Sequence, residues 1–195
     1  MNVHIWDPMA EHSTKTRIKD AALRLFVERG VAETSVRDLA EAAGIAEGTL
    51  YRHYAAKDDM VRDLFQEHYA AFAARIDSLQ KGQAGIRNKL RVVVADACRL
   101  FDEDPTLYRF LLLVQHQALP RLPKGGGDAM AILRRMIADG IKSGEVKLDN
   151  AELGAALVMG LMLQPALAVI HGSLKGPLSK QAGAIAAACE RVLKS

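Results

Sequence analysis

Apolar residues recur at helical spacing along almost the whole chain, and this pattern constrains the fold more than any other feature. The first set contains Ile18, Ala21, Ala22, Leu25 and Phe26. Intervals of three and four residues place such side chains on one face of an α-helix. Apart from residues 92–94, β-branched residues do not cluster, and no run alternates polar and apolar residues between turn residues. Strands therefore find almost no support, and the chain is predicted to be all-α.

Capping residues and glycines divide residues 1–60 into three short helices. The first helix has Thr14 as a plausible cap and ends at Gly30. Ser35 caps the second helix, which Gly44 ends, and a third helix runs from about residue 46 to residue 54. A helix, a glycine-containing turn and a second helix in this order are typical of a helix-turn-helix. Such a motif lays its second helix in the major groove of DNA.

The third predicted helix carries side chains that can hydrogen-bond to base edges and phosphates. These residues are Thr49, Tyr51, Arg52 and His53. Gly44 supplies the positive φ that a tight interhelical turn needs, and Ala40 is small where the two helices cross. The alternative is an ordinary surface helix whose tyrosines cover the core and whose charges face water. That alternative does not account for the turn, the capped preceding helix and the phosphate-suited side chains occurring together.

Helical patterns continue to the end of the chain. Helix four is predicted over residues 57–80, and the linker at residues 81–85, KGQAG, is the expected domain boundary. Five later helices are predicted. The first spans residues 86–103, the second begins at the Asp104-Pro105 pair, and the third runs from Ala129 to Gly144. The fourth begins with a capping-box pair of Asp149 and Glu152 and ends near His171, and the fifth begins with a cap at Ser179. We expect an N-terminal extension at residues 1–13, a helix-turn-helix domain at 14–60 and a second helical domain at 61–195, with helix four linking the two domains.

The composition offers no support for an enzyme or a metal site. Cys98 and Cys189 lie in apolar helical patterns, where a buried thiol that acts as a small hydrophobe is the expected reading. The histidines show neither a metal-ligand spacing nor a local triad signature; they are His4, His12, His53, His68, His116 and His171. We therefore expect no enzymatic activity, no metal and no cofactor.

The location and the partner follow only weakly from composition. Residues 1–7 lack a secretion signal, and Gln164 and Pro165 follow the most apolar segment at residues 153–163, so a cytoplasmic protein without a membrane span is expected. The net charge is +3, but residues 1–60 carry eight basic and ten acidic residues. A nucleic-acid site there must be a basic face with the acidic residues turned elsewhere.

The run TSVRDLAEAAGIAEGTLYRHY at residues 34–54, followed by Lys57, resembles the TetR family of bacterial transcriptional regulators. The resemblance covers about residues 14–60, roughly a quarter of the chain. The ordered combination of elements is more specific than a bare helix-turn-helix. The resemblance implies an all-α regulator in which an N-terminal three-helix DNA-binding domain precedes a helical ligand-binding and dimerisation domain.

The resemblance also implies roles for individual residues. Arg37 matches a position from which family members often reach the groove, and Arg52 lies where they vary with their operators, so both are candidate base readers. Phosphate contacts are implied for Ser35, Thr49, Tyr51, His53 and Lys57. Gly48 is placed for a close approach of the backbone to DNA, whereas Tyr54 should pack inward.

One residue departs from the family pattern at the junction between helices three and four. Ala56 occupies a position where family members commonly have Ser or Asn before the lysine that opens helix four. Losing a side-chain cap costs about 1 kcal/mol. Asp58 and Asp59 in the first turn each return about 0.3 to 1 kcal/mol through the helix dipole. The N-terminal segment at residues 1–13 is also unusually long, so Met9 is an alternative start to Met1.

The second domain resembles the family only in its helix layout and in the phrase GIKSGEVK at residues 140–147. The resemblance implies a two-fold homodimer formed through the last two helices, about residues 152–171 and 179–194, which places two recognition helices on an approximately palindromic double-stranded DNA operator. It also implies a pocket for an unknown small-molecule effector among helices four to eight. Candidate pocket residues are His68, Phe72, Phe110, His116, Gln117 and Met159, for which core packing or a solvated position is the alternative.

The predicted function is a homodimeric TetR-type regulator that a small-molecule ligand releases from its operator. The resemblance implies a repressor, because repressors dominate the family, but the sequence itself does not distinguish a repressor from an activator. Few aromatic residues and no dominant charge in the second domain suggest an apolar effector. Two alternatives stay open. The chain could be a helical small-molecule-binding protein with a vestigial DNA-binding head, or a DNA binder that no ligand releases.

Overall fold

The computed structural model describes residues 13–118 and 128–194, with the side chains of residues 115–118 outside the description. Every regular element within these ranges is helical. The chain divides into two compact units, the first ending at Leu64 and the second beginning at Phe65. The helix α4 runs through this division, and each unit is described here by itself. Residues 1–12 of the predicted N-terminal extension and residues 119–127 lie outside the described residues.

Nine α-helices and one 3₁₀ helix are present in the described part of the chain. They are α1 (Thr14–Arg29), α2 (Val36–Ala42), α3 (Glu47–His53), α4 (Lys57–Lys81), α5 (Gly85–Glu103), α6 (Pro105–Ala118), α7 (Ala129–Lys142), α8 (Ala151–Ile170), the 3₁₀ helix (Leu178–Gln181) and α9 (Ala182–Val192). The all-α prediction is thus confirmed.

The first unit packs α1, α2, α3 and the start of α4 around a small apolar core. Its fully buried side chains include Ile18, Phe26, Leu39, Leu50, Met60 and Leu64. The cap of α1 differs from the prediction: Ser13, not Thr14, precedes the helix, and its hydroxyl oxygen accepts a hydrogen bond from the Thr16 N–H. Thr14 is the first helical residue instead. Gly30 follows the helix with φ of 90°, as its predicted role as terminator requires.

The second unit is built around α5, which packs against α6, α7, α8, α9 and the 3₁₀ helix. Leu90, Val93 and Val94 on α5 are fully buried, and both cysteines are buried free thiols, as predicted. Asp96 is the one buried carboxylate within the described residues. It accepts two hydrogen bonds from Arg75, at 2.5 and 2.7 Å, and one from Arg99, at 2.6 Å. The hydrogen bonds from Arg75 join α4 to α5 in the interior of this unit.

Two helix starts in the second unit differ from the sequence predictions. The cap of α8 is Asn150, whose side-chain oxygen accepts the Leu153 N–H at 2.9 Å, so the predicted capping box of Asp149 and Glu152 is wrong. Ser179 lies inside the 3₁₀ helix rather than capping the last α-helix. The Asp102 carboxylate on α5 accepts the N–H groups of both Leu178 and Ser179 and so begins that 3₁₀ helix from a distant part of the chain.

The apolar helix α8 is longer than the segment that the sequence analysis considered. It continues through Gln164 and Pro165, and it is long and apolar enough to cross a membrane, with a mean hydropathy of 2.1. This is weak support for a membrane span, because the core helix of a soluble protein has the same length and composition. In the structure α8 packs against α7 and α9.

Candidate DNA interface and ligand cavity

The turn between α2 and α3 is closed by backbone hydrogen bonds and by a side chain from α1. Gly44 has φ of 63°, the left-handed conformation that the sequence predicted, and the Ile45 N–H donates to the Ala40 carbonyl at 2.9 Å. Arg17 on α1 donates from Nη2 to the carbonyl oxygens of Ala43, at 2.5 Å, and Gly44, at 3.0 Å. A cation therefore satisfies carbonyl groups at the C-terminal end of α2, where the helix dipole favours positive charge.

The start of α2 has a reciprocal capping box. The Ser35 hydroxyl accepts the Asp38 N–H at 3.1 Å, and the Asp38 carboxylate accepts the Ser35 N–H at 2.9 Å. Hydrogen bonds from Ser35, together with the charge of Arg29, lower the pKa of Asp38. The predicted Ser35 cap is therefore present and stronger than a single hydrogen bond. Arg37 in the first turn is exposed, whereas Leu39 and Ala40 face the core.

The short helix α3 holds most of the side chains predicted to contact DNA. Leu50 is buried, while Gly48, Tyr51, Arg52 and His53 are exposed, Tyr51 at 53%. Thr49 is half-buried and accepts a hydrogen bond from Arg52 Nη2 at 3.0 Å, so these two predicted contacts are adjacent. A Cβ at Gly48 would have no atom within 4 Å, so the glycine leaves open space at the helix surface.

Tyr54 ends α3 and packs inward, as predicted. The side chain is 6% exposed, and its hydroxyl donates to Asp63 Oδ2 on α4 at 2.7 Å. Lys15 and Lys19 on α1 lie 3.5 and 3.2 Å from the same carboxylate oxygen. Burial acts to raise the pKa of Asp63, but the hydrogen bonds from Tyr54 and Lys19 outweigh it, and the pKa is lowered. The end of α3 is thereby linked through one carboxylate to α1 and α4.

Lys57 opens α4 and points its ammonium group at the loop before α2. Its Nζ donates to the carbonyl oxygens of Val31 at 2.6 Å, Thr34 at 2.8 Å and Ala32 at 3.3 Å. An ammonium group has three N–H bonds. All three have acceptors here, so a phosphate contact through this group would require it to release a carbonyl.

The second unit contains an apolar cavity of about 220 Å³ between α4, α6, α7 and α8. Its lining residues are Phe65, Tyr69, Phe72, Tyr108, Leu111, Leu112, Met130, Met159 and Leu163. Phe65 and Tyr69 stack at a centroid distance of 5.3 Å, and Phe72 meets Tyr108 edge to face at 6.4 Å. The Tyr69 hydroxyl donates to Asp128 at the start of α7. Burial, with the nearby Asp128 charge, raises the pKa of Tyr69 to about 12, so the tyrosine is neutral near pH 7.

The cavity includes some of the predicted ligand residues and not others. Phe72 and Met159 line it. Phe110 is fully buried and His68 is half-buried, and neither is among the residues that line this cavity. The side chains of His116 and Gln117 lie outside the described residues.

Sequence reasoning missed several residues that shape both sites. Phe65 and Tyr69 share a face of α4, and Tyr108, Leu111 and Leu112 share a face of α6; the sequence shows this spacing, but it is the spacing of any buried helix face. No local pattern indicates Arg17 as a partner of the turn, because 26 residues separate it from Ala43. Among the side chains that the structure describes, no three of His, Cys, Asp or Glu are grouped to hold a metal ion.

The chain combines an exposed helix on a capped helix-turn-helix with a helical unit that contains an apolar cavity. These features define a class of DNA-binding regulators in which one polypeptide carries both the DNA-binding unit and the ligand-binding unit. The model of the family described as bacterial regulatory proteins, tetR family, matches residues 18–64. That match spans α1 to the first turns of α4.

Relatives extend the match beyond the DNA-binding unit. A fatty acid metabolism regulator protein of Bacillus subtilis (strain 168) is 30% identical over 135 residues, which are 67% of this chain and 70% of that protein. The HTH-type transcriptional repressor KstR2 of Rhodococcus jostii (strain RHA1) is 39% identical over 80 residues, or 37% of this chain and 39% of that repressor. The chain belongs to the TetR family of bacterial transcriptional regulators.

The fold of this chain also occurs in solved structures. One is the transcriptional regulator FadR from Bacillus subtilis in complex with stearoyl-CoA, with a TM-score of 0.75 and 24% identity over 89% of this chain and 96% of that one. Another is a tetR-family regulatory protein from Rhodococcus RHA1, with a TM-score of 0.77 and 17% identity over 93% and 97% of the two chains. At these identities the likeness is one of fold. The chain is a transcriptional regulator, which is a non-enzyme role.

Proposed function

We propose that this regulator is a cytoplasmic homodimeric repressor that occupies an approximately palindromic operator and is released by an effector with an apolar chain. The observation that carries the DNA-binding part is the exposed face of α3. Tyr51, Arg52 and His53 are all exposed there, on a helix held by the buried Leu50 and Tyr54. The repressor assignment is supported by relatives that are named as repressors.

Within this interface the predicted contact residues have distinct proposed roles. Arg37 and Arg52 read bases, because a guanidinium can form two hydrogen bonds with guanine. Phosphate contacts, which set the register on the duplex, are proposed for Ser35, Thr49, Tyr51, His53 and Lys57. Gly48 allows the backbone to approach DNA closely, since its position has open space around it.

The dimer interface that we propose is the outer face of α8 together with α9. Leu153 and Leu157 on α8 are 48% and 39% exposed, which is unusual for leucines on a packed helix. Ala156 and Gly160 on α8 and Ala184 on α9 are also exposed, and their small side chains would permit close approach of a second copy. Gly154, Ala155 and Ala186 lie on the same two helices, but they are buried within the unit itself. They pack α8 and α9 onto their own neighbours.

The effector site that we propose is the cavity lined by Phe72, Tyr108 and Met159. Its volume of about 220 Å³ lies below the range of about 300 to 1,000 Å³ that is typical of ligand pockets. The cavity can therefore take part of a ligand, such as one end of an acyl chain, without a rearrangement. The FadR structure of similar fold holds stearoyl-CoA, and this supports a long-chain acyl-CoA as the first compound to test.

DNA binding is tested by a gel-shift titration with DNA from upstream of the gene. The proposal expects one or two sites of approximate two-fold symmetry and an affinity that falls steeply with salt. Arg37→Ala should weaken operator binding by about 1 to 3 kcal/mol and relax the base preference at one position in each half-site. Tyr51→Phe should weaken binding to all DNA sequences by the same factor. Binding that is indifferent to both salt and sequence would reject the proposed interface.

The effector is tested by adding stearoyl-CoA, and separately free coenzyme A, to the protein bound to its operator. We expect release by the acyl form and not by coenzyme A, because the cavity is apolar. Met159→Trp fills the cavity of the second unit and leaves every residue of α2 and α3 unchanged, so it should retain operator affinity and lose the response to stearoyl-CoA. If stearoyl-CoA releases the Met159→Trp variant from its operator as readily as the unchanged protein, this cavity is not the effector site. Absence of release and of thermal stabilisation across an acyl-CoA series would favour a DNA binder that no such ligand releases.

A further inference from the structure

Two tyrosines line the proposed effector cavity, and their hydroxyl groups have different surroundings. Among the described lining residues only Tyr69 and Tyr108 carry a hydroxyl group, and the others are Phe, Leu and Met. The Tyr69 hydroxyl donates to Asp128 Oδ1 at 3.2 Å. The Tyr108 hydroxyl forms no hydrogen bond with any residue of the described chain. Within the described residues, the Tyr108 proton is therefore free to bond to a ligand.

The position of Tyr108 is set by its ring rather than by its hydroxyl. The residue is 5% exposed, and its ring meets those of Phe101 and Phe72 edge to face at centroid distances of 5.4 and 6.4 Å. Every side-chain oxygen or nitrogen that the described chain fully encloses has a hydrogen-bond partner. Because the Tyr108 hydroxyl has none, it must border accessible space, and the space that Tyr108 lines is the cavity.

The surroundings also limit what the hydroxyl can bind. Burial, together with the nearby Cys98 and Asp96, raises the pKa of Tyr108, so the phenol keeps its proton near pH 7. None of the described lining residues carries a charge, so a charged ligand group in the cavity would lose its hydration without an opposite charge. A phenol is a stronger donor than acceptor. The matching ligand atom is therefore an uncharged acceptor.

We propose that Tyr108 determines the specificity of the effector site, and that its hydroxyl donates a hydrogen bond to an uncharged carbonyl or hydroxyl oxygen on the apolar part of the effector. The proposal rests on the effector cavity of the proposed function and adds the chemical class of ligand that it takes. Thioester, ketone and alcohol groups supply such an oxygen, whereas a pure hydrocarbon segment does not. In an acyl-CoA the thioester carbonyl is the uncharged oxygen next to the alkyl chain.

The physical reason for this specificity is the cost of an unpaired donor. A hydrocarbon group that fills the cavity leaves the Tyr108 hydroxyl buried without an acceptor, and the full cost of removing that hydroxyl from water is then lost. A site with a buried hydrogen-bonding group discriminates against an analogue that lacks its partner more strongly than an apolar site discriminates between sizes. One hydroxyl therefore converts an apolar cavity into a selective one.

The test uses two neutral ligands of the same shape, acetophenone and α-methylstyrene, in which a CH₂ group replaces the carbonyl oxygen. Dissociation constants are measured by isothermal titration calorimetry for the unchanged full-length protein, for Tyr108→Phe and for Tyr69→Phe. Tyr108→Phe retains the ring and removes no hydrogen bond of the described chain. Tyr69→Phe is the matched control, because it removes a hydroxyl of the same cavity whose proton is bonded to Asp128.

The measured quantity is the ratio of the two dissociation constants, because the two ligands also differ in hydrophobicity. The preference for acetophenone should fall by about tenfold in Tyr108→Phe and should be unchanged in Tyr69→Phe. The infrared carbonyl stretch of bound acetophenone should lie at lower frequency in the unchanged protein and in Tyr69→Phe than in Tyr108→Phe, since a hydrogen bond weakens the C=O bond. A purely structural role of Tyr108 would not move this frequency.

The same comparison with stearoyl-CoA and its thioether analogue S-octadecyl-CoA, which lacks the carbonyl oxygen, identifies the source of the oxygen. A preference for stearoyl-CoA that falls in Tyr108→Phe assigns the hydrogen bond to the thioester. A preference that is the same in both proteins, together with the acetophenone result, assigns the hydrogen bond to a ketone or alcohol.

Three results would overturn the proposal: no binding of acetophenone, an equal ratio in the unchanged protein and Tyr108→Phe, or an equal fall in Tyr69→Phe. If Tyr108→Phe does not fold, the carbonyl stretch in the unchanged protein decides, and a frequency equal to that in a hydrocarbon solvent overturns the proposal. Operator release by stearoyl-CoA is measured separately. If release fails while Tyr108 discriminates, the acyl-CoA effector is wrong and this inference stands; if release occurs without discrimination, this inference alone fails.

Discussion

Replacement of Gly44 by alanine tests how the helix-turn-helix is held together. Gly44 has φ of 63°, and a Cβ built on it would lie 2.8 Å from Arg17 Nη2. The left-handed conformation costs a residue with a Cβ about 1 to 2 kcal/mol. The contact adds a second cost, because the guanidinium group must move away from the Ala43 and Gly44 carbonyl oxygens that it binds. Gly44→Ala therefore loses both backbone freedom and a side-chain brace.

The size of the second cost follows from the exposure of the guanidinium group. Hydrogen bonds to charged groups contribute about 1.5 to 3 kcal/mol each. Because Arg17 is exposed, hydrogen bonds to water replace part of the lost stabilisation, and we take about 1.5 kcal/mol for the two Arg17 hydrogen bonds together. Gly44→Ala should destabilise the first unit by about 2.5 to 3.5 kcal/mol in total. In an Arg17→Met background the same change should cost only about 1 to 2 kcal/mol.

The assay is a double-mutant cycle on the free energy of unfolding in urea, followed by amide exchange of peptides from α2 and α3 so that the first unit is observed by itself. Gly144→Ala is the matched control, since Gly144 has φ of 77° and open space around its Cβ position. It should show the backbone cost alone. If the losses of unfolding free energy caused by Arg17→Met and Gly44→Ala add within about 0.5 kcal/mol, the reasoning is refuted. Additive losses would mean that the two residues stabilise the unit independently and that Gly44→Ala does not disturb the Arg17 hydrogen bonds.

Two further predictions concern the second unit. Burial acts to raise the pKa of Asp96, but hydrogen bonds from Arg75 and Arg99 outweigh it and the pKa is lowered. The stability that Asp96 contributes is thus present above its unfolded pKa of about 3.9 and is lost as pH falls below it. Asp96→Asn should be less stable at pH 7 and should show a shallower fall of Tm between about pH 5 and pH 3. Gly140→Ala would place a Cβ 2.7 Å from Val146 Cγ2, so unfolding in urea should show a loss of about 1 to 3 kcal/mol. Val146→Ala in the same chain should recover part of that loss.

Much of the first unit was predictable because its signals are local. Ser35 and Asp38 are three residues apart, and their capping box needs no other part of the chain. Gly44 adopts positive φ because the turn requires it, and Leu50 is buried because it is the apolar residue of its helix. Sequence patterns report such features reliably, since each depends on neighbours within one or two turns.

Caps supplied from a distance were not predictable. The 3₁₀ helix begins on the Asp102 carboxylate, 76 residues before Leu178. The Glu145 carboxylate similarly accepts the Ile86 N–H at the start of α5, 59 residues away. The sequence near Ser179 contains residues that suit a cap, but a local candidate has no advantage when another group is already placed by the fold. Such choices depend on the tertiary structure alone.

The ligand cavity shows the same limit. Met159 and Phe72 were chosen from the sequence as adaptable or aromatic residues, and they do line the cavity. Phe110 has the same chemistry and is fully buried elsewhere. Apolar side chains that fill a core and apolar side chains that line a cavity have the same chemistry. They differ only in how closely the neighbouring helices pack against them, and the sequence pattern of one helix does not encode that packing.

The sequence by itself determined the helical class, the helix-turn-helix with its capped second helix and positive-φ turn, and the family, because periodicity, caps and turn residues are short-range properties. Only the tertiary structure decided what the two cations at the ends of this motif do. Arg17 binds carbonyl groups 26 and 27 residues away along the chain, and Lys57 binds carbonyl groups 23 to 26 residues away. The physical reason is that a side chain takes the acceptors that the folded backbone brings within reach, whatever its neighbours in sequence.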